Sequence, residues 1–234
     1  MEHYMDMQNF IDLTSLGGDD TNAKITDLCS KAIENKNAAI CVFPTFIEIA
    51  KSNINGRLPI ATVVGGFPHG QVDLEVKILE TKKAIYLGAS EIDLVINRTS
   101  ILDKDKKILE NEISSISEIC KTKNVKLKTI IEVGELKSKE NIVLASEIAL
   151  NNGSDFVKTS TGKAKVNANL EAAEIIIKSL NDYHVKTGKH VGFKPAGGIR
   201  SKTQAKEYYD LMKSSFGAEY VTPMTFRIGA SNLT

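Results

Sequence analysis

The sequence predicts an α/β protein, a single (β/α)8 barrel, and three observations predict it. Eight short β-rich runs alternate with longer amphipathic stretches, the rhythm of parallel strands joined by right-handed helical crossovers. Several runs are nearly continuous in apolar or β-branched residues, as strands covered on both faces read. Polar residues gather at the C-terminal ends of the runs, where such a barrel carries its site. An open doubly wound sheet would share the alternation, but no GxGxxG follows the first run.

The expected strands are FIDL at 10–13, AAICVF at 38–43, IATVV at 60–64, EIDLVI at 91–96, LKTIIEV at 127–133, DFVK at 155–158, VGFK at 191–194 and FRIGA at 226–230. Helical patterns occupy 21–35, 71–87, 103–123, 138–151, 168–187 and 201–213. Thr21, Ser138 and Ser201 stand where N-caps belong. In 71–87, Val72, Val76, Leu79 and Ala84 mark an apolar stripe at helical spacing. GGDD at 17–20 and NING at 53–56 are loop punctuation. The chain stops at Thr234, shortly after the eighth run, so the last helix of the barrel is expected to be truncated or absent.

Bulk properties bound the rest. A chain of 234 residues is near the lower end for such a barrel, which typically needs ~250. No linker, low-complexity tract or second domain is visible, so residues 1–234 are expected to form one catalytic domain. Hydrophobic content of 42% and charged content of 25% are ordinary globular usage. A formal net charge of +1 favours neither nucleic acid nor a membrane surface as partner, so any anionic ligand must be met locally. Cys29, Cys41 and Cys120 are widely spaced, without a CxxC pair, and read as reduced thiols of a cytoplasmic protein. The N-terminus carries Glu2 and Asp6 and lacks the apolar core of a signal peptide. No apolar run reaches the ~18 residues of a membrane span.

The chemistry is sought at the strand ends. The sixth run ends in Lys158 and leads into TSTGK at 159–163; the seventh ends in Lys194, followed by Pro195-Ala196-Gly197-Gly198. A lone strand-end lysine is usually a solvated snorkelling side chain. Two on adjacent strands are close, and both like charge and desolvation depress an amine pKa, which makes a nucleophile toward carbonyls. Asp93 lies between Ile92 and Leu94 on the fourth run; a carboxylate there needs a partner, and a lysine across the barrel mouth is the natural one. Asp12 and Glu132 are strand-borne carboxylates with weaker claims. Thr161, Gly162, Gly197 and Gly198, with Gly229-Ala230-Ser231-Asn232, supply small polar turns able to hold a phosphate through hydroxyl and N–H groups. His3, His69, His184 and His190 show no metal-ligand spacing, so no metal is expected, and P-loop and hydrolase-elbow motifs are missing.

Taken together these strings resemble the deoxyribose-phosphate aldolases. The matching segments are IDLTSL (11–16), AAICVFP (38–44), EIDLVIN (91–97), LKTIIEVGELK (127–137), GSDFVKTSTGKAKVNA (153–168), VGFKPAGGIRS (191–201) and FRIGAS (226–231). VKTSTG together with FKPAGG is the most specific part. The resemblance implies a TIM-barrel, metal-free class I aldolase with no cofactor beyond a covalent Schiff base, acting on a small sugar phosphate as a homodimer or homotetramer. It implies reversible cleavage of 2-deoxy-D-ribose 5-phosphate to acetaldehyde and D-glyceraldehyde 3-phosphate, with Lys158 as the Schiff-base lysine, Lys194 as the second lysine that perturbs it, and Asp93 as a proton-relay carboxylate. It also implies substrate or phosphate contacts at Asp12, Thr14, Thr161, Gly162, Lys163, Gly197, Gly198, Ser231 and Asn232. Asn232 stands where many relatives have a second Ser, and a C-terminal tail whose tyrosine aids proton transfer in some members does not appear. Three alternatives stay open: another Schiff-base sugar-phosphate aldolase or transaldolase, a non-catalytic sugar-phosphate-binding barrel, and a metal-dependent aldolase.

Overall fold

Each of the eight runs forms a strand in the computed structural model, which describes residues 7–232; the N-terminal stretch read above for a signal peptide, including His3, lies outside the described residues. The strands are β1 (Ile11–Ser15), β2 (Ala39–Val42), β3 (Ile60–Val64), β4 (Glu91–Val95), β5 (Lys126–Ile130), β6 (Phe156–Lys158), β7 (Gly192–Lys194) and β8 (Ile228–Ala230). All ladders are parallel, in the order β7-β6-β5-β4-β3-β2-β1-β8. Parallel bridges Phe193–Phe226 and Ala196–Gly229 close β7 on β8. The result is the expected (β/α)8 barrel.

The helices are α1 (Asn22–Glu34), α2 (Ile47–Ile54), α3 (Leu74–Leu87), α4 (Thr99–Leu102), α5 (Lys106–Thr122), α6 (Lys139–Asn151), α7 (Leu170–Thr187) and α8 (Lys202–Phe216). The three expected caps form: Thr21, Ser138 and Ser201 accept the backbone N–H groups of Lys24, Asn141 and Gln204. At α8 the Gln204 side chain returns the bond to the Ser201 N–H, completing a capping box. Two elements were not foreseen. The helix α2 has eight residues and buries Ile47, Ala50 and Ile54, too few turns for a visible period. The single turn α4 sits in the loop after β4.

The stripe expected on 71–87 is corrected by the structure. Ala84 is buried as expected, but Val76 and Leu79 are exposed, and α3 buries Lys77 and Thr81 in their stead. Lys77 is tolerated inside because its Nζ meets Glu112 Oε2 of α5 at 2.9 Å and donates to the Val95 carbonyl at 3.2 Å, so the charge is paired rather than orphaned.

Outward-facing strand residues such as Ile92, Leu94, Leu127, Val157 and Phe193 pack against the helices in one continuous core. The barrel interior holds a second, small apolar cluster of Leu16, Cys41, Ala61 and Val63 on the β1–β3 side. Ile130 and Phe156 face inward on the other side, and between these apolar patches the interior is charged. At the lower end Phe10 and Phe226 rings meet at 5.6 Å, and Tyr209 of α8 packs on both. No helix follows β8 among the described residues, so α8 and the turn at Met7–Phe10 cover that edge.

Candidate active site

The register brings the lysines together. Lys158 and Lys194 are direct partners across β6 and β7, so both side chains enter the barrel at one level. Asp93 reaches the same level from β4. Its Oδ2 accepts from Lys158 Nζ at 2.6 Å and from Lys194 Nζ at 2.8 Å, while its Oδ1 accepts from Lys128 Nζ at 2.8 Å. One buried carboxylate therefore serves three ammonium groups.

The chain of contacts continues. Lys128 Nζ lies 2.5 Å from Glu91 Oε2. Arg227 holds Glu91 Oε1 through NH2 at 3.0 Å and Asp12 Oδ1 through NH1 at 2.6 Å. Asp12 Oδ2 accepts from Lys194 Nζ at 2.5 Å, which returns to Asp93. Six side chains thus form a closed ring, alternating in sign, with Lys158 attached from outside at Asp93. Asp12, Asp93, Lys128 and Lys194 are fully buried.

Electrostatics separate the two lysines. Burial is the largest influence on Lys158 and pushes its amine below the usual lysine range; Asp93 pulls it back, and Lys194 adds to the downward push. Lys194 is buried as deeply, yet Asp12 and Asp93 hold it above the ordinary value. For Asp93, burial favours the neutral acid, but Lys128, Lys158 and Lys194 outweigh it and keep the carboxyl well below the usual carboxylate range. The structure therefore combines one amine inclined to be neutral with a second lysine held as a cation.

Lys158 lies in the wall of a cavity of about 560 Å³ above this layer, which Thr14, Thr161, Gly162, Lys163, Gly197, Gly198 and Ser231 also line. Thr159 Oγ1 accepts from the Ala196 N–H at 3.0 Å and fixes the β6 loop to the β7 loop. Gly197 and Gly198 have φ of 85° and 82°, in the left-handed region glycine enters without strain. A Cβ at Gly197 would also come within 2.7 Å of Asn167. Lys163 Nζ donates to the Leu16 carbonyl at 2.6 Å, tying the β6 loop to the β1 loop.

Not every expected residue falls where the sequence put it. Asp12 is in the ring, bonded to Lys194 and Arg227, and does not itself line the cavity. Asn232 follows Ser231 at the exposed rim. Glu132 is not on a strand: β5 ends at Ile130, and Glu132 occupies a left-handed turn at φ 57°. From there it accepts from Thr161 Oγ1 at 2.5 Å and props the β6 loop from behind. Glu91, Lys128 and Arg227 were missed as site residues. Their signal was the same-face spacing of Glu91 with Asp93, an i, i+2 pair of carboxylates on a strand otherwise apolar.

The fold and this centre define a class, a (β/α)8 barrel with an amine-bearing interior beneath a glycine-rimmed cavity. Comparison with known proteins makes the family plain. A model described as DeoC/LacD family aldolase matches residues 7–222, and the chain belongs to that family. It is therefore an aldolase, a carbon–carbon lyase. The chain is 41% identical to deoxyribose-phosphate aldolases of Mus musculus and Homo sapiens, over 96% of its own length and 76% of theirs. Its fold superposes on the solved structure of QR15, an aldolase, with a TM-score of 0.81 and 28% identity, covering 97% of this chain and 92% of that one. Among the described residues no group of three or more His, Cys, Asp or Glu side chains is arranged to hold a metal ion, and no helix is long and apolar enough to cross a membrane.

Proposed function

We propose that the protein is a class I aldolase that reversibly cleaves 2-deoxy-D-ribose 5-phosphate to acetaldehyde and D-glyceraldehyde 3-phosphate through a Schiff base on Lys158. The observation that carries this reading is the Lys158 amine, 3% exposed at the cavity wall and sharing Asp93 Oδ2 with Lys194. The names of the mouse and human relatives support the substrate.

The chemistry follows from the arrangement. The neutral Lys158 amine adds to the C1 aldehyde of the open-chain sugar, and loss of water gives an iminium. The C2–C3 bond breaks as the C3 hydroxyl gives up its proton and the iminium takes the electron pair to become an enamine. The bond broken is C2–C3 because acetaldehyde carries away C1 and C2. D-glyceraldehyde 3-phosphate leaves first; the enamine gains a proton at C2, and water releases acetaldehyde and the free amine. Asp93 and the Lys194 ammonium are the groups within reach of Lys158 for these transfers. Thr161, Gly162, Lys163, Gly197, Gly198 and Ser231 face the phosphate end. The enzyme works in the cytoplasm with no metal or added cofactor.

Borohydride reduction with substrate, followed by peptide mass mapping, tests the reading. The expected adduct is on the peptide containing Lys158. An adduct on Lys194 would exchange the two roles, and no adduct would defeat the Schiff base. Turnover of fructose phosphates in preference to deoxyribose 5-phosphate would move the enzyme to another sugar-phosphate aldolase.

A further inference from the structure

The ring beneath the cavity does more than fill the barrel. Its six members are Asp93, Lys128, Glu91, Arg227, Asp12 and Lys194, each bonded to the next at 3.0 Å or less. Three are anions and three are cations, so the ring is neutral by formal count. Lys158 touches it only at Asp93 Oδ2, an oxygen that Lys194 already occupies. If all four bases and three acids carried full charge, the interior would hold one uncompensated positive charge out of water, which is costly. The least costly proton to lose is the one on the exocyclic amine.

We propose that Glu91, Lys128 and Arg227 are positioning residues that complete a neutral ring, leaving Lys158 as the one cation in excess and so the group that gives up its proton. This rests on the reading of Lys158 as the Schiff-base amine. The three touch neither the cavity nor a substrate within it; they act through Asp93 and Asp12. The groups facing Lys158 are accounted for on every side. Asp12 comes from β1, Cys41 from β2, Asp93 from β4, Lys128 from β5, Glu132 from the turn beyond it, balanced by Arg98 of the β4 loop at 3.6 Å, Lys163 from the β6 loop, Lys194 from β7 and Arg227 from the entry to β8. The strand β3 presents only Ala61 and Val63.

The arrangement makes predictions of opposite sign for neighbouring substitutions. At an effective dielectric of about 20, a unit charge roughly 10 Å away moves an amine by about one pH unit. Glu91→Gln removes an anion and leaves the interior more positive, so Lys158 loses its proton at lower pH. Arg227→Gln removes a cation and has the reverse effect. Arg227→Lys keeps the charge, and Glu91→Gln with Arg227→Gln restores neutrality.

The test is the pH dependence of reductive trapping of acetaldehyde at Lys158, located by peptide mass, in the parent and these four variants. The midpoint should move about one unit toward acid in Glu91→Gln and about one unit toward alkali in Arg227→Gln. It should stay near the parent value in Arg227→Lys and in the double variant. Glu91→Gln is nearly isosteric, so if Arg227→Gln does not fold, Glu91→Gln and Arg227→Lys decide between them. An unmoved midpoint in Glu91→Gln, or shifts of the same sign in both single Gln variants, overturns the proposal. So does a parent midpoint at or above that of an ordinary lysine. A parent with no adduct on Lys158 would instead refute the Schiff-base reading itself.

Discussion

Asp93→Asn separates amine chemistry from proton transfer. The carboxylate is fully buried and contacts Lys128, Lys158 and Lys194 at 2.6–2.8 Å. Asparagine keeps the shape and one acceptor oxygen but turns an NH2 toward the ammonium groups, of which Lys128 keeps Glu91 and Lys194 keeps Asp12 while Lys158 loses its carboxylate partner. Removing one partner of a buried ion pair typically costs about 3–5 kcal/mol. For a chain of this size each kcal/mol lowers the melting temperature by roughly 2–4 °C, so the expected loss is about 6–20 °C, and the variant should be handled at low temperature. The loss of negative charge also pushes the Lys158 amine further toward neutrality. Schiff-base formation with acetaldehyde, read by borohydride trapping, should therefore persist. Turnover of deoxyribose 5-phosphate should fall by about 10²–10⁴-fold, the usual worth of a positioned acid–base group. Steady-state kinetics and trapping on the same folded sample, with circular dichroism to follow the melt, make the comparison. Turnover within tenfold of the parent would refute the role given to Asp93, and loss of trapping in a folded sample would show that Asp93 is needed to present the amine.

Two further outcomes follow from the same geometry. Gly197→Ala introduces a Cβ at φ 85°, within 2.7 Å of Asn167, and should cost about 1–3 kcal/mol in a thermal melt; it should raise KM for the phosphorylated sugar while changing KM for unphosphorylated deoxyribose little, and equal effects on both would remove the phosphate from that turn. Asp12 and Asp93 both titrate below the ordinary 3.8 in the folded protein because of their cationic neighbours, so their stabilisation is complete above about pH 4 and is lost as pH falls through the lower folded values. A melt followed by circular dichroism should hold steady from pH 7 to pH 5 and collapse below pH 4; a collapse centred above pH 5 would mean that other groups govern acid stability.

The strands were legible because β-branched and apolar runs such as Ile60–Val64 are short and sharply bounded. Helix starts were legible where a hydroxyl cap stood, as at Thr21, Ser138 and Ser201. The stripe on α3 was misread because Lys77 and Thr81 are inside: a buried lysine carries the same letter as a solvated one, and only Glu112, thirty-five residues on, shows which it is. The upper layer of the site was visible because Lys158 and Lys194 end otherwise apolar strands beside glycine turns. Of the ring beneath, only Asp12, Asp93 and Lys194 were. Lys128 alternates with Lys126 as on any half-exposed strand, and Arg227 stands alone in FRIGA. Their meaning depends on partners up to 215 residues distant, which no local pattern encodes.

That separation bears on how the molecule assembles. Asp12 enters with the first strand and Arg227 just ahead of the last, and the bond between them forms only when the two edges meet. A growing chain keeps these charges in water, and only closure gives them a reason to leave it. An aliphatic interior could collapse piecemeal, each added strand improving on the one before. This charged layer is worth little to a partial barrel and much to a complete one, so its share of the stability arrives with closure, whereas the apolar core between strands and helices can grow with each added unit.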